Sequence, residues 1–331
     1  MNVLDLFCGA GGLTEGLSQS GFKTVAGIDI NPDAIKTFQL NHTQAKGFCL
    51  DIQSITEDWL SQNIAEPIDL ICGGPPCQGF STIGRNDPSD VRNQLPQEFL
   101  RIVGIVLPQW VLIENVPGLA SKRQSEHLNH ILASLEGLGY KTEWMILNAH
   151  LYNVAQTRKR LFIFAHRGQS SKTVTVPVEA GVPSLAEAWE KYLSDHNHKI
   201  EKAQIKNKLE RERITFIPPG RSIRYQKDEQ ELLPYSLWFD VNWDLLRENR
   251  FREAKLHRLS LEQLSPTIST SYSSYYHPLE NRYLTVREAA AIQSFPGNFG
   301  FTGNSVTGLW KQVGNAVPPE LARRIGLAII D

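Results

Sequence analysis

The sequence predicts an α/β fold built on a doubly wound, mostly parallel sheet, with a smaller, irregular domain beside it. Three features indicate this fold. Short apolar runs alternate with helical patterns through the first half of the chain, as in repeated strand–helix–strand units. A glycine-rich turn follows the first apolar run, where such sheets bind ligands. After Gly168 the alternation stops, and prolines and mixed charges replace it.

Six apolar runs are predicted to be core strands, and five segments with helical spacing are predicted to be helices. The strands are Val3–Phe7, Thr24–Ile28, Phe48–Leu50, Ile68–Cys72, Trp110–Ile113 and Arg160–Ala165. The helices are Leu13–Ser20, Pro32–Asn41, Glu98–Val106, Thr285–Gln293 and Pro318–Ile329. A proline suits the first turn of the second helix, because the N–H that it lacks would have no partner there.

The composition excludes several classes of protein. The chain has 331 residues, of which 41% are hydrophobic and 21% charged, which excludes a disordered or fibrous protein. A net charge of −1 means that any affinity for nucleic acid must come from a local basic surface. Four cysteines are too few for a disulfide framework, and we find no signal peptide, so we expect a cytoplasmic protein with free thiols. No apolar run approaches the roughly 18 residues of a membrane span.

A glycine-rich turn joins the first strand to the first helix through Gly9, Gly11 and Gly12. Glycine at such a turn lets the backbone approach a ligand closely. The dinucleotide fingerprint would need a third glycine where this chain has Thr14, so an NAD-dependent oxidoreductase is not favoured. Taken alone, the turn is equally consistent with a tight strand–helix connection.

Two aspartates follow the next two strands. Asp29 ends the second strand, the usual position of a carboxylate that binds ribose hydroxyls, and Asp51 follows the third strand, within reach of an adenine amino group. Together with the glycine turn, they indicate a ligand that contains adenosine. Each aspartate taken singly is also consistent with a helix cap or a turn.

Cys77 has the surroundings of a reactive thiol. Two prolines precede it, Gly79 follows it, and the segment lies at the carboxyl end of the fourth strand, where open α/β sheets have their active sites. Cys49 and Cys72 suit the commoner role of a small buried apolar residue. A disulfide or metal pair of Cys72 with Cys77 is the alternative. No second Cys/His pair at ligand spacing accompanies it, and we predict no metal.

An acid and two arginines stand at later strand ends. Glu114 ends the fifth apolar run, and adjacent strand ends would bring it near Cys77. A thiol with a carboxylic acid suits covalent addition to a ring whose nitrogen takes up a proton. Arg158 and Arg160 begin the last core strand on one side of it, suited to hold a carboxylate or phosphate. Basic residues at a strand edge also serve only to prevent edge-to-edge pairing.

These segments, in this order, resemble the DNA (cytosine-5) methyltransferase family of the bacterial modification-enzyme type. The resemblance covers most of the chain outside residues 169–262. It rests on Asp5–Gly12, Asp29, Asp51, Gly74–Ser81, Glu114–Val116, Gln156–Arg160, Arg287–Pro296 and Gln312–Pro319. Pro-Pro-Cys-Gln together with Glu-Asn-Val and Gly-Asn-Ala-Val-Pro-Pro is a highly specific combination. One departure is minor, since the ribose acid here is Asp29 where some members carry Glu.

The resemblance implies a Rossmann-like methyltransferase that uses S-adenosylmethionine and no metal. The residues implied to bind S-adenosylmethionine are Phe7, Gly9, Gly11, Gly12, Asp29, Asp51, Ile52, Pro76, Asn315 and Val317. The implied catalytic residues are Cys77, Glu114, Arg158 and Arg160. In the implied reaction the cytosine leaves the duplex, Cys77 adds to carbon 6, and Glu114 protonates nitrogen 3, after which carbon 5 takes the methyl group.

The predicted domain organisation has three parts. Residues 1–168 form the catalytic and cofactor-binding domain, and residues 169–262 form a target-recognition domain. Residues 263–331 support the recognition domain and return to the catalytic domain. The irregular insert favours a protein that reads duplex DNA, because reading base edges needs additional surface.

Several residues are predicted to contact DNA. Arg221 and Arg224 follow a Pro-Pro-Gly turn with no acid in the next three positions, and arginine is the commonest reader of guanine. Gln78 and Ser81 belong to the nucleophile motif and are predicted to contact the substrate. The charged run Lys199–Arg213 favours a solvated helix face instead, because glutamates interleave with its basic residues.

The expected function is sequence-specific methylation of double-stranded DNA by a monomer, as the modification part of a restriction–modification system. A cognate endonuclease would be encoded separately, and no membrane partner is expected. A tRNA cytosine-5 methyltransferase is the alternative with the same chemistry. A non-catalytic DNA-binding protein on the same fold is the alternative from another class. An intact set of Cys77, Glu114 and Arg158 argues against it.

Overall fold

The main feature of the fold is a seven-stranded sheet. The computed structural model describes residues 1–76, 94–122, 124–168, 179–195 and 198–330. The strands are β1 (Asn2–Leu6), β2 (Lys23–Asp29), β3 (Lys46–Cys49), β4 (Leu70–Gly73), β5 (Trp110–Asn115), β6 (Tyr140–Asn148) and β7 (Lys159–Arg167). Their order across the sheet is β3-β2-β1-β4-β5-β7-β6. Strands β1 to β5 run parallel and β7 is antiparallel to β5 and β6, which confirms the predicted fold class.

Helices cover this sheet and form much of the remaining chain. They are α1 (Gly12–Gln19), α2 (Pro32–Asn41), α3 (Glu57–Asn63), α4 (Leu95–Val106), α5 (Ser125–Gly137), α6 (Leu185–Tyr192), α7 (Lys208–Ile214), α8 (Gln226–Leu232), α9 (Val286–Ile292), α10 (Val306–Asn315) and α11 (Pro319–Ile330). A separate two-stranded antiparallel sheet consists of β8 (Ile223–Tyr225) and β9 (Arg250–Lys255). Among the described helices, none is both long enough and apolar enough to span a membrane.

The starts of two predicted helices follow from local sequence. The side chain of Asn31 accepts the main-chain N–H groups of Asp33 and Ala34, and proline occupies the first turn of α2. At α9 the side chain of Thr285 accepts the N–H of Glu288, whose carboxylate accepts the N–H of Thr285. Both arrangements satisfy N–H groups that the first turn of a helix leaves without partners.

The predicted strands lie in β1 to β5 and β7, and the predicted helices lie in α1, α2, α4, α9 and α11. The sequence did not indicate β6, α3, α5 or α10. Strand β6 is at the edge of the sheet, where Trp144 and Ile146 are 43% and 44% exposed. Lys141 and Glu143 interrupt its apolar pattern, so the continuous run typical of a buried strand is missing.

Apolar side chains cover both faces of the sheet. Successive residues of β1 point to opposite faces, because side chains alternate along a strand. Leu4 belongs to the core that includes Phe99 of α4, whereas Val3 belongs to the core that includes Leu17 of α1 and Leu321 of α11. The chain therefore ends on a helix packed against the one that follows the glycine-rich turn.

An apolar cluster joins the irregular region to Tyr276 of the segment that follows it. Its buried members are Ile205, Ile214, Ile217, Ile223, Leu233, Trp243, Leu256 and Tyr276. Helix α6 lies outside this cluster, since Leu185 packs in the core that includes Ile292 of α9. The domain boundaries at 168 and 262 remain a prediction.

Candidate active site

Several of the described residues predicted to be catalytic or to bind the cofactor lie along the carboxyl edge of the sheet. Parallel strands β1 to β5 all end there. Strand β7 is antiparallel and begins at the same edge, because Leu161 pairs with Asn115 at the end of β5. The residues just before Leu161 therefore lie beside those that follow β4 and β5.

The glycine-rich turn wraps around the carboxylate of Asp29. Asp29 Oδ2 accepts the main-chain N–H of Gly9 at 3.0 Å, and Oδ1 accepts that of Asn31 at 2.8 Å. Burial raises the pKa of Asp29, and these N–H groups partly oppose the increase. The turn begins at Phe7, which has a φ of 60°, and Gly11 has a φ of 91°. Asp29 is only partly buried, and its predicted contact with ribose hydroxyls stays a prediction.

The other end of the chain closes the turn from the opposite side. A Cβ atom on Gly12 would lie 2.5 Å from the main-chain oxygen of Val317 and 3.0 Å from Cβ of Ala316. Only glycine therefore allows this approach without movement of the backbone. Asn315 is exposed at the end of α10, and Val317 is buried against the turn. Main chain from both ends of the sequence thus meets at the glycine-rich turn, and the predicted cofactor site there stays a prediction.

Asp51 and Ile52 lie in a 3₁₀ turn after β3. Asp51 is exposed, and its side chain caps the turn by accepting the N–H of Gln53 at 3.0 Å. Asp51 therefore caps a turn, which was the alternative to a ligand contact in the sequence analysis. Ile52 is buried in the core below. The exposed carboxylate stands at the same edge as Asp29, because β2 and β3 are parallel neighbours.

Cys77, Gln78 and Ser81 lie outside the described residues, but the structure describes the segment that leads to Cys77. Asn115 donates from Nδ2 to the main-chain oxygen of Pro75 at 3.0 Å and accepts the N–H of Val116 at 2.9 Å. The segment thus approaches the end of β5 closely. Pro76, a predicted cofactor residue, is the last described residue before Cys77.

Glu114 is held beside this segment. Its Oε1 atom lies 2.8 Å from Nε of Arg160, and the two side chains are 13% and 16% exposed. A Cβ on Gly74 would lie 2.9 Å from Glu114 Oε2, so the carboxyl group contacts the chain just before the Pro-Pro pair. Of the two arginines predicted to hold an anion, Arg160 does so, and the anion is the carboxylate of Glu114.

Arg158 differs from the prediction. It is 1% exposed, and its Nη1 and Nη2 atoms donate to the main-chain oxygens of Ile268 at 3.0 Å and Gly314 at 2.9 Å. Burial lowers its pKa, with the nearby charge of Arg160 as a second cause. Arg158 therefore binds two distant segments of chain rather than a carboxylate or phosphate. Sequence alternation predicted neither partner of Arg158, which precedes the first residue of β7.

The two predicted base-reading arginines have different surroundings. Arg221 Nη2 lies 2.9 Å from Glu231 Oε2, so folding supplies an acid that the local sequence lacks. The carboxylate of Asp228 accepts the main-chain N–H groups of Arg224 and Tyr225. The guanidinium of Arg224 has no ion-pair partner among the described residues, and its Nε atom is buried without a hydrogen bond. Of the two arginines, Arg224 is therefore the one whose charge is not paired with an acid among the described residues.

Sequence reasoning missed a buried carboxyl group below the glycine-rich turn. Asp5 is 1% exposed, and Oγ1 of Thr14 donates to its Oδ2 atom at 2.6 Å. Burial raises the pKa of Asp5 to about 7, and the Thr14 hydrogen bond only partly opposes this. The sequence signal for this buried group was Thr14, a hydroxyl residue at the position where the dinucleotide fingerprint has glycine. Among the described residues, no cluster of three or more His, Cys, Asp or Glu side chains is arranged to hold a metal.

Solved structures share this fold over the full chain. A DNA modification methyltransferase encoded in a prophage of Escherichia coli superposes with a TM-score of 0.76 at 24% identity, covering 100% of this chain and 98% of that one. A DNMT2 variant from Spodoptera frugiperda gives a TM-score of 0.70 at 18% identity, covering 100% and 99%. At these identities the likeness concerns the fold, which is that of the methyltransferases.

Sequence comparison identifies the family. The Type II methyltransferase M1.HphI of Haemophilus parahaemolyticus is 30% identical over 339 residues, covering 100% of this chain and 87% of that protein. M.Sau96I of Staphylococcus aureus is 31% identical over 344 residues, covering 99% and 75%. The family model for C-5 cytosine-specific DNA methylases matches residues 1–331. The chain belongs to this family and is a DNA cytosine-5 methyltransferase, as the motifs predicted.

Proposed function

We propose that this protein is a Type II modification enzyme that methylates carbon 5 of a flipped-out cytosine in a specific duplex sequence. The observation that carries the proposal is the position of Glu114. Arg160 holds its carboxyl group against the segment that leads to Cys77, at the edge where the Asp29 turn also lies. The named relatives, which are Type II methyltransferases, support the same activity.

The glycine-rich turn and its neighbours fit an adenosine-containing cofactor. Two main-chain N–H groups fix the Asp29 carboxylate, and a Cβ on Gly9 would meet no atom within 4 Å, so there is open space over the turn. The residues that would hold S-adenosylmethionine are Phe7, Gly9, Gly11, Gly12, Asp29, Asp51, Ile52, Pro76, Asn315 and Val317. When bound, S-adenosylmethionine supplies an electrophilic methyl group on a sulfonium sulfur.

The chain's own residues would activate the cytosine. The thiolate of Cys77 adds to carbon 6, and Glu114 donates a proton to nitrogen 3, which turns carbon 5 into a nucleophile. Arg160 orients the carboxyl group of Glu114, and Asn115 fixes the carbonyl of Pro75. After carbon 5 is methylated, it loses its proton, Cys77 is eliminated as a thiolate, and nitrogen 3 returns its proton to Glu114, which restores the aromatic ring. Flipping the base out of the duplex is required because neither ring face is accessible in the stack.

DNA recognition is assigned to residues 169–262, with residues 1–168 and 263–331 forming the catalytic part and its support. Arg224 is the stronger candidate for a base contact, because Arg221 already pairs with Glu231. Gln78 and Ser81 are proposed to contact the target strand beside the nucleophile. We further propose that the enzyme acts as a monomer in the cytoplasm, together with a separately encoded endonuclease.

Transfer of tritium from labelled S-adenosylmethionine tests the proposal. Duplex DNA and tRNA are offered in parallel to wild-type protein and to Cys77→Ser. The proposal expects label in the DNA alone, at carbon 5 of cytosine, and none with Cys77→Ser. Label in tRNA alone would favour the tRNA alternative. Absence of transfer to either substrate, with DNA binding retained, would favour a non-catalytic DNA-binding protein.

A further inference from the structure

The turn that carries Asp51 and Ile52 is tied to helix α4 by Arg101. Arg101 donates from Nη2 to the main-chain oxygen of Ile52 at 3.1 Å and from Nε to Glu98 Oε2 at 2.7 Å. The two bonds use different nitrogen atoms of one planar group. Glu98 therefore fixes the direction from which the guanidinium meets the turn.

This turn needs support from outside itself. It follows β3, which is the edge strand of the described sheet and pairs with β2 alone. Asp51 accepts the N–H of Gln53, and the oxygen of Ile52 also accepts the N–H of Ile55 at 3.2 Å. Such local bonds fix the shape of the turn, and the buried side chains of Ile52 and Ile55 place it on the core. The bond from Arg101 comes from another element and adds a directional contact to the main chain of the turn.

Helix α4 is a firm support. Phe99 and Ile102 are completely buried, and they pack in the same core as Ile71 of β4 and Ile52 of the turn itself. Helix α4 is therefore anchored to β4, the strand that precedes Cys77. Through Arg101, the main chain of the turn is held to the same anchor.

We propose that Arg101 is a positioning residue for the adenine-binding turn. It holds the main chain at Ile52 so that the Asp51 carboxylate stands where an adenosine-containing cofactor requires it. This inference rests on the proposed function, in which S-adenosylmethionine binds beside Asp51. Since Arg101 acts through the turn, its loss should change cofactor affinity and leave the rate of methyl transfer at saturation nearly unchanged.

Calorimetric titration with S-adenosylhomocysteine measures the effect. Arg101→Met removes both bonds and keeps the apolar stem, and we expect Kd to rise about tenfold. We expect kcat at saturating S-adenosylmethionine and duplex DNA to stay within about twofold of wild type. Arg101→Lys retains a donor and should recover part of the affinity. For the cofactor titration, Arg247→Met is the matched control, because Arg247 is 90% exposed and pairs with Glu248 beside it.

A double-variant cycle shows whether the effect passes through the turn. Arg101→Met should add little to the loss caused by Asp51→Asn, because coupled residues are not additive. If Arg101→Met does not fold, Glu98→Gln replaces it, with an expected rise in Kd of about threefold. A Kd within twofold of wild type for the variant used, a loss confined to kcat, or full additivity would overturn the inference. Failure of the wild-type protein to bind S-adenosylhomocysteine would contradict the proposed function instead.

Discussion

At the scale of single residues, the surroundings of Glu114 bear most directly on the chemistry. Its carboxyl group is mostly buried, contacts Arg160 and lies against Gly74. A carboxyl group held in this way faces one direction, as proton transfer to a positioned ring nitrogen requires. The sequence predicted that Glu114 stands at a strand end near the nucleophile. It could not predict the pair with Arg160, which depends on the antiparallel register of β5 and β7.

Glu114→Gln should lower kcat by roughly 10²–10⁴-fold, because an amide cannot supply the proton to nitrogen 3. The affinity for S-adenosylhomocysteine should stay within about twofold, since Glu114 is not among the proposed cofactor residues. Single-turnover methylation of duplex DNA measures the first effect and titration the second. A rate within a few-fold of wild type would mean that another group protonates the ring.

Asp5→Asn tests the buried carboxyl group. The raised pKa, about 7, means that the folded protein holds Asp5 protonated at acidic pH, whereas the unfolded chain ionises it near pH 4. The stability that protonated Asp5 contributes is therefore complete below about pH 4 and is lost as the pH rises to about 7. Asparagine keeps an acceptor for Thr14 and does not ionise.

Urea unfolding measures the free energy of unfolding of Asp5→Asn minus that of wild type. This difference should be more positive at pH 8 than at pH 5 by about 2 kcal/mol. Asp240→Asn serves as the control, because Asp240 is exposed. A difference between Asp5→Asn and wild type that does not change with pH would refute the pKa assignment.

At the scale of secondary-structure elements, short apolar runs predicted β1, β2, β4, β5 and β7 because most residues of these strands are buried. Strand β3 was also predicted, but it is an edge strand whose residues are exposed or partly buried, and the prediction that Cys49 is buried is wrong. The same pattern missed β6, whose exposed side chains leave no such run. Contacts between elements that are far apart in the sequence could not be predicted either. Arg158 joins Ile268 and Gly314, and no local pattern relates these positions. The motif marked Arg158 as functional, whereas its contacts show how β7 is attached to the later segments.

Arg158→Met should lower the free energy of unfolding by about 2 kcal/mol, because two buried carbonyl oxygens lose their donor. Removal of a buried charge offsets part of the loss. Urea denaturation gives the value, with the exposed Arg247→Met as a control that should lie within about 0.5 kcal/mol of wild type. Equal stability of Arg158→Met and wild type would show that water or rearrangement satisfies both carbonyl groups.

At the scale of the whole molecule, the carboxyl edge of the sheet and the irregular region differ in how far the sequence predicts them. The edge is assembled from motifs whose positions follow from strand ends, so most of it could be predicted. The irregular region shares a small core with Tyr276 of the following segment and has little regular structure, and its side-chain pairs form between short segments. This is why the pair of Arg221 with Glu231 was not foreseen.

Arg224→Ala should weaken binding to the cognate duplex by about 1–3 kcal/mol and relax the methylated sequence, if Arg224 contacts a base. Arg221→Ala should have the smaller effect, because Glu231 already occupies its guanidinium. Bisulfite sequencing of genomic DNA methylated by each variant reports the sites used. Unchanged sites with lower yield would indicate a phosphate contact. Unchanged affinity and sites for both variants would remove this segment from recognition.

The central claim is that Cys77 bonds to the cytosine ring during methyl transfer, and trapping on 5-fluorocytosine DNA tests it most directly. In 5-fluorocytosine, fluorine replaces the proton that carbon 5 must lose. Elimination of the Cys77 thiol is therefore blocked after methylation. We predict a covalent protein–DNA complex that survives denaturation, with the DNA attached to the peptide that contains Cys77, and no complex with Cys77→Ser. Attachment at another residue, or no complex under conditions that methylate ordinary duplex DNA, would contradict the account.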